Sequence, residues 1–136
     1  MLVMVFSAQA IHAQDDLEVN KAFENYGHER GCKMVEVHHS NFKGYQLDMY
    51  KSLTYKSIGK TVESYLKEDR QKAKKVREIV EDGEITSGYY LMKTIKPGIN
   101  RYILFRKGEN RSGTLIYIEG TLSPEQLMDL CTIRRK

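Results

Sequence analysis

With 136 residues, 40% of them hydrophobic and 29% charged, the chain is long enough to bury roughly two-thirds of its unfolded surface as one domain, without metals or several disulfides. Two prolines, no low-complexity tract and no repeat at solenoid spacing exclude a disordered linker, a collagen-like chain and a repeat array. The net charge of +4 and pI near 9.0 permit a polyanion partner but do not point to one, because acids are dispersed among the bases.

The chain opens on MLVMVF, an apolar, uncharged run too short to span a bilayer, followed by SAQAIHAQ. Small residues before a polar start mark a signal-peptidase site, so residues 1–13 are expected to be a signal peptide cleaved after Ala13, or after Ala10. No Lys or Arg precedes the apolar run, and the recorded start is expected to lie inside a longer leader. Without a Cys at the cleavage region, no lipoprotein route is expected. The competing reading makes MLVMVF a buried first strand.

Asp15–Tyr26 is predicted as the first helix, with Asp15 and Glu18 spaced as a capping box. Val19, Ala22, Phe23 and Tyr26 form its apolar stripe, and Gly27 fits a left-handed C-terminal position. HERGCKMVEVHH follows, and His28, Cys32, Glu36, His38 and His39 are all metal-ligand types. HExxC lacks the second His that a helical zinc motif needs, however, and Gly27 and Gly31 argue for a turn entering a strand over Lys33–His39. In such a strand His38 and His39 face opposite ways, so the plain reading is surface histidines at a strand end.

Ser40–Gly59 alternates Tyr45, Leu47, Met49, Leu53 and Tyr55 with polar residues, which predicts one long strand or two short ones. A helix through Tyr45–Ser52 also fits. Thr61–Glu81 is predicted as the longest helix, with a stripe of Val62, Tyr65, Leu66, Ala73, Val76, Ile79 and Val80 interrupted only by Asp69. Its other face carries Glu63–Lys67, Glu68–Lys72, Lys74–Glu78 and Arg77–Glu81 pairs, so the basic run KAKKVR reads as a solvated face rather than a nucleic-acid patch. Asp82-Gly83 is expected to end this helix.

Glu84–Gly120 reads as a three-strand meander, GYYLMKT, NRYILFR and TLIYIEG, joined by Pro-Gly and Asn-Arg-Ser-Gly turns. Ile103 and Phe105 share one face, Tyr102 and Leu104 the other, the latter grouped with Leu115 and Tyr117. Both faces are expected to be at least partly covered. Ser123, Pro124 and Gln126 sign a closing helix with Leu127, Leu130 and Ile133 inward. The two cysteines, Cys32 and Cys131, are an even count in a chain expected to be exported; a bridge between them would close a loop of about 100 residues, and simple burial is the alternative.

The motifs HAQ at 12–14, EDGE at 81–84, YILFRKGEN at 102–110 and IYIEGTLSPEQL at 116–127 resemble those of a family of small exported proteins of unknown function common in Bacteroidetes. That resemblance implies export and a compact domain, and it supplies no catalytic or cofactor-binding residues. The expectation is an α+β fold: residues 14–136 form one domain, a single antiparallel sheet of four to five strands with helices packed on it.

No GxSxG, Walker, GxGxxG, CxxC or EF-hand spacing occurs, which leans away from an enzyme. The expected function is a non-enzymatic periplasmic or cell-envelope binding module, using a Tyr-bearing sheet face or the concave side between helix and sheet to hold a protein or small molecule. Nine Tyr against four Phe and no Trp suit such a face, and equally suit plain sheet architecture. One alternative is a metal-binding protein or metal-dependent hydrolase using His28–His39. Another is a binder of anionic polymers or membrane surfaces through Arg101, Arg106, Lys107, Arg111 and Arg134–Lys136.

Overall fold

The structure, a computed structural model, describes residues 16–134; the expected signal peptide lies outside the described residues, as do the side chains at 42, 75 and 130–134. The elements in order are α1 (Asn20–Tyr26), β1 (Cys32–Phe42), β2 (Tyr45–Tyr55), α2 (Gly59–Arg70), β3 (Lys75–Glu81), β4 (Glu84–Met92), β5 (Asn100–Lys107), β6 (Gly113–Gly120) and α3 (Pro124–Arg134). The fold is α+β with one antiparallel sheet, but of six strands rather than four to five, ordered β1-β2-β6-β5-β4-β3.

The sixth strand comes from the stretch expected to be the second half of the long helix. That helix ends at Arg70, and Lys75–Glu81 pairs with β4 instead. Val76, Ile79 and Val80 are β-branched and favour a pleated surface. Asp82 and Gly83, with φ of 51° and 80°, form a two-residue turn with both central residues left-handed, which folds β3 directly onto β4. The dipeptide read as a helix stop is a hairpin turn. Lys43 and Gly44 (φ 52° and 88°) make the same turn between β1 and β2, dividing the segment predicted as one or two strands.

The first helix is shorter than predicted. Leu17 and Val19 drop into the core before it begins, and the Glu18 and Val19 amides donate to Asp69 Oδ1 and Oδ2 at 2.8 Å each. Asp69, the lone break in the predicted stripe of α2, is fully buried and ties the two helical segments together. Gly27 is right-handed, not left-handed; a Cβ there would sit 2.6 Å from the Phe23 carbonyl oxygen and 2.7 Å from Met34 Sδ. Its role is space rather than backbone freedom.

Two clusters occupy the two sheet faces. On the inner face Leu53, Tyr55, Ile103, Phe105, Leu115 and Tyr117 meet Val19, Ala22 and Phe23 of the first segment and Val62 and Leu66 of α2. On the outer face Leu47, Tyr102, Ile118, Leu122 and Leu127 pack together under α3. Phe105 pairs with Leu115 and Ile103 with Tyr117, so the predicted grouping of the last two strands is inverted: Leu115 and Tyr117 join the Ile103 face, while Ile116 and Ile118 join Tyr102 and Leu104. Both faces are at least partly covered, as expected. A bulge at Asp48 explains a further departure. It shifts the alternation of β2, putting Tyr45 and Leu47 with the outer cluster and Met49, Leu53 and Tyr55 with the inner one.

Candidate ligand-binding cleft

The outer face is roofed at one end only. α3 starts at Pro124 after a capping box: the Gln126 amide donates to Ser123 Oγ at 3.2 Å, and the Ser123 amide donates to Gln126 Oε1 at 2.8 Å. With its first turn fixed this way, α3 lays Leu127 onto the sheet and leaves a cavity of about 260 Å³ beside it. The sheet wall is Tyr89, Leu91 and Tyr102, the helix wall is Pro124, Glu125, Leu127, Met128 and Asp129, and Arg77 of β3 closes the outer end.

The floor is chemically quiet. Tyr102 donates its hydroxyl to the Leu122 carbonyl oxygen at 2.7 Å, and burial pushes its pKa up to about 12, so the ring presents a neutral surface. Charge is confined to the rim, with Arg77 on the strand side and Glu125 and Asp129 on the helix. An apolar, partly aromatic floor with a few charged groups at its edge is similar in composition to pockets that hold small molecules.

The predicted metal ligands are spread along one edge of the fold. His28 lies in the turn after α1, and Cys32 opens β1 half-buried against the inner cluster. Burial raises the Cys32 thiol pKa, keeping it protonated. Glu36 and His38 share one side of β1 and meet at 2.6 Å, with Lys51 Nζ 4.0 Å from the same carboxylate. His39 adopts φ 49°, and its ring centroid is 6.4 Å from that of His38. Among the described residues no three His, Cys, Asp or Glu side chains form a group that could hold a metal ion. The suggested Cys32–Cys131 pairing involves a side chain outside the described ones.

Among the described residues the basic set is divided, and the side chains of Arg134–Lys136 lie outside them. Arg101 is buried on the inner face, where its guanidinium holds Asp16 (Nη1 to Oδ1, 2.7 Å) and its Nε donates to the Lys93 carbonyl oxygen at 2.8 Å. Burial lowers its pKa, but Asp16 and Tyr117 outweigh this and hold it charged. Beside it the Tyr117 hydroxyl donates to Glu119 Oε2 at 2.7 Å. Lys107 is paired with Glu84, and Arg106 and Arg111 are exposed. Among the described residues no helix is long and apolar enough to cross a membrane.

A family profile described only as of unknown function matches residues 6–131, nearly the whole chain. The chain belongs to that family, DUF6108. For this DUF6108 member no curated protein and no solved structure matches. Membership therefore brings no chemistry with it, and the cleft has to be read from its own residues. Sequence reasoning named the Tyr-bearing face and the helix–sheet concavity. It missed Arg77, placed on a helix, and Glu125, Met128 and Asp129, which carry no signal until α3 is seated over the sheet.

Proposed function

We propose that the protein is an exported, non-enzymatic binding module of the periplasm or cell envelope, and that its ligand seats in the cleft under α3. The observation that carries this reading is the cavity itself: an apolar floor of Tyr89, Leu91, Tyr102 and Leu127 with charges of both signs at its rim. Its volume of about 260 Å³ is below the 300–1,000 Å³ of sites for drug-sized molecules, so it suits a single ring or branched aliphatic group. Arg77 would hold an anionic group on that ligand, and Glu125 and Asp129 favour a cationic one at its other end. A small aromatic zwitterion, or the corresponding end of a peptide, has this pattern.

The test is a titration of isotope-labelled protein with phenylalanine, its N-acetyl derivative and its amide, followed through backbone amide shifts. Saturable shifts at Tyr89, Leu91, Leu127 and Met128, lost in Tyr89→Ala, are expected at roughly millimolar ligand or below. Shifts that map elsewhere, or none at all, would refute the cleft as a site. Export rests on the apolar leader and the small-residue cleavage pattern. N-terminal sequencing of fractionated cells is expected to give a mature start at Gln14 or Ile11 outside the cytoplasm, and retention of Met1 would end that part of the proposal.

A further inference from the structure

β3 is an edge strand, and it holds three of the six exposed large hydrophobic residues among the described ones: Val76, Ile79 and Val80. Edge strands are usually blunted by proline, a bulge or a covering element, because their unpaired amides and carbonyls template further pairing. Among the described residues β3 has no proline and no covering element, and the irregularity opposite it falls on Thr86 of β4, so β3 itself runs regularly. The charges that also blunt an edge are present but of both signs, Lys75 and Arg77 against Glu78 and Glu81. We infer that two copies of this chain pair antiparallel through β3, about a two-fold axis at Ile79, to form one continuous sheet.

The charge pattern selects both the partner and the register. A two-fold axis normal to the sheet keeps each face on its own side, so residue i meets residue 158 − i when the axis passes through Ile79. Arg77 then stands opposite Glu81 of the second copy, twice, on the outer face, with Ile79 against Ile79 between them. Within one chain these two charges cannot meet: four residues apart on a strand they are roughly 13 Å from each other. The spacing that resembled a helical ion pair becomes one between copies. Glu78, on the inner face, is already held by Arg70 and by the Tyr90 hydroxyl at 2.9 Å, so it brings no free charge to the seam.

The other edge, β1, offers a weaker case: it holds two exposed large hydrophobic residues, Val35 and Val37. Its Lys33 and Glu36 differ in parity, so that no such axis brings them together, and its same-parity Glu36 and His38 are already paired within the chain at 2.6 Å. Because Arg77 also closes the outer end of the cleft, pairing would bring Glu81 of the second copy to that rim. A strand-edge contact of this length is small, so the dimer forms reversibly with concentration.

Analytical ultracentrifugation of the mature chain over a concentration series tests this. Wild type is expected to shift from monomer to dimer. Arg77→Glu and Glu81→Arg, each placing like charges opposite one another, are expected to weaken dimerisation about tenfold or more, and the double variant to restore it. With the native cysteines replaced by Ser, Ile79→Cys is expected to cross-link to dimer on mild oxidation, since directly opposed residues fall within disulfide reach, whereas Val76→Cys stays monomeric. A chain that is monomeric at its highest soluble concentration overturns the inference. So does a dimer equally strong in all the charge variants, which would use another surface.

Discussion

Removing the Asp69 carboxylate should unlock the first segment from α2. Asp69 is fully buried, and its two oxygens accept the Glu18 and Val19 amides, both at 2.8 Å. A hydrogen bond to a charged acceptor contributes about 1.5–3 kcal/mol, and a buried amide left without a partner costs about 1–3 kcal/mol. The Glu18 amide is only partly buried, so water can replace one bond. Asp69→Ala is therefore expected to lose about 2–4 kcal/mol at neutral pH, roughly 10 °C in Tm for a domain of this size. Asp69→Asn keeps one acceptor oxygen and should lose less. Burial raises the Asp69 pKa above 3.8, outweighing the amides and Lys72 that lower it. A carboxyl with a raised folded pKa contributes most below its unfolded value, and that contribution is lost as pH rises through the folded pKa. Wild type should thus exceed Asp69→Asn by more in acid than at neutral pH. Urea unfolding of the three proteins at several pH values measures all of this. A loss below about 1 kcal/mol for Asp69→Ala, or a gap to Asn that widens toward neutrality, would refute the reasoning.

Three further substitutions probe the β3–β4 hairpin. A Cβ at Gly88 would lie 2.3 Å from the Tyr90 hydroxyl oxygen, and Tyr90 is fully buried and cannot swing away. Gly88→Ala is expected to cost about 1–3 kcal/mol by denaturant unfolding, against about 1 kcal/mol for Tyr90→Phe, which removes only the hydrogen bond to Glu78. Arg70 holds the Glu78 pKa below 4.5; a depressed carboxyl stabilises the fold above its unfolded pKa and loses that as pH falls through the folded one. Glu78→Gln should therefore flatten the acid side of the stability profile, by about 1 kcal/mol at most, since the Arg70 side chain is 42% exposed and solvent screens the pair.

The meander and the closing helix were legible because their signals are local. Alternating Tyr, Ile and Leu runs, a Pro-Gly turn and the Ser123–Gln126 box each act within a few residues. What failed was non-local. Val76, Ile79 and Val80 fall on a helical stripe as readily as on a strand, and only the partner, β4, decides between them. Asp69 looked like a flaw in that stripe because its ligands, the Glu18 and Val19 amides, lie fifty residues earlier. The bulge at Asp48 leaves no trace in residue type, yet it alone sends Leu47 and Met49 to opposite faces. The cleft shares this limit, being assembled from β3, β4, β5 and α3, so its outline depends on the sheet order rather than on any motif.

On the proposed reading of the cleft, that dependence makes β3 decisive for binding as well as for fold. Cross-strand register lines up Val37, Tyr50, Ile118, Tyr102 and Leu91 in one outer row, and Val35, Ser52, Ile116, Leu104, Tyr89 and Arg77 in the next. α3 covers much of the first row through Leu127 and leaves the second half-open, with Val35 42% exposed at one end and Arg77 at the other. A sheet lacking β3 would end at Tyr89, giving an apolar shelf with acidic residues on the helix side and no cation to oppose them. Adding β3 supplies that cation and at the same time creates an edge with three exposed β-branched residues. One strand thus closes the cleft and exposes the surface through which a second copy is inferred to pair. An Arg77 substitution should therefore affect ligand binding and self-association together, while Tyr89→Ala should affect binding alone.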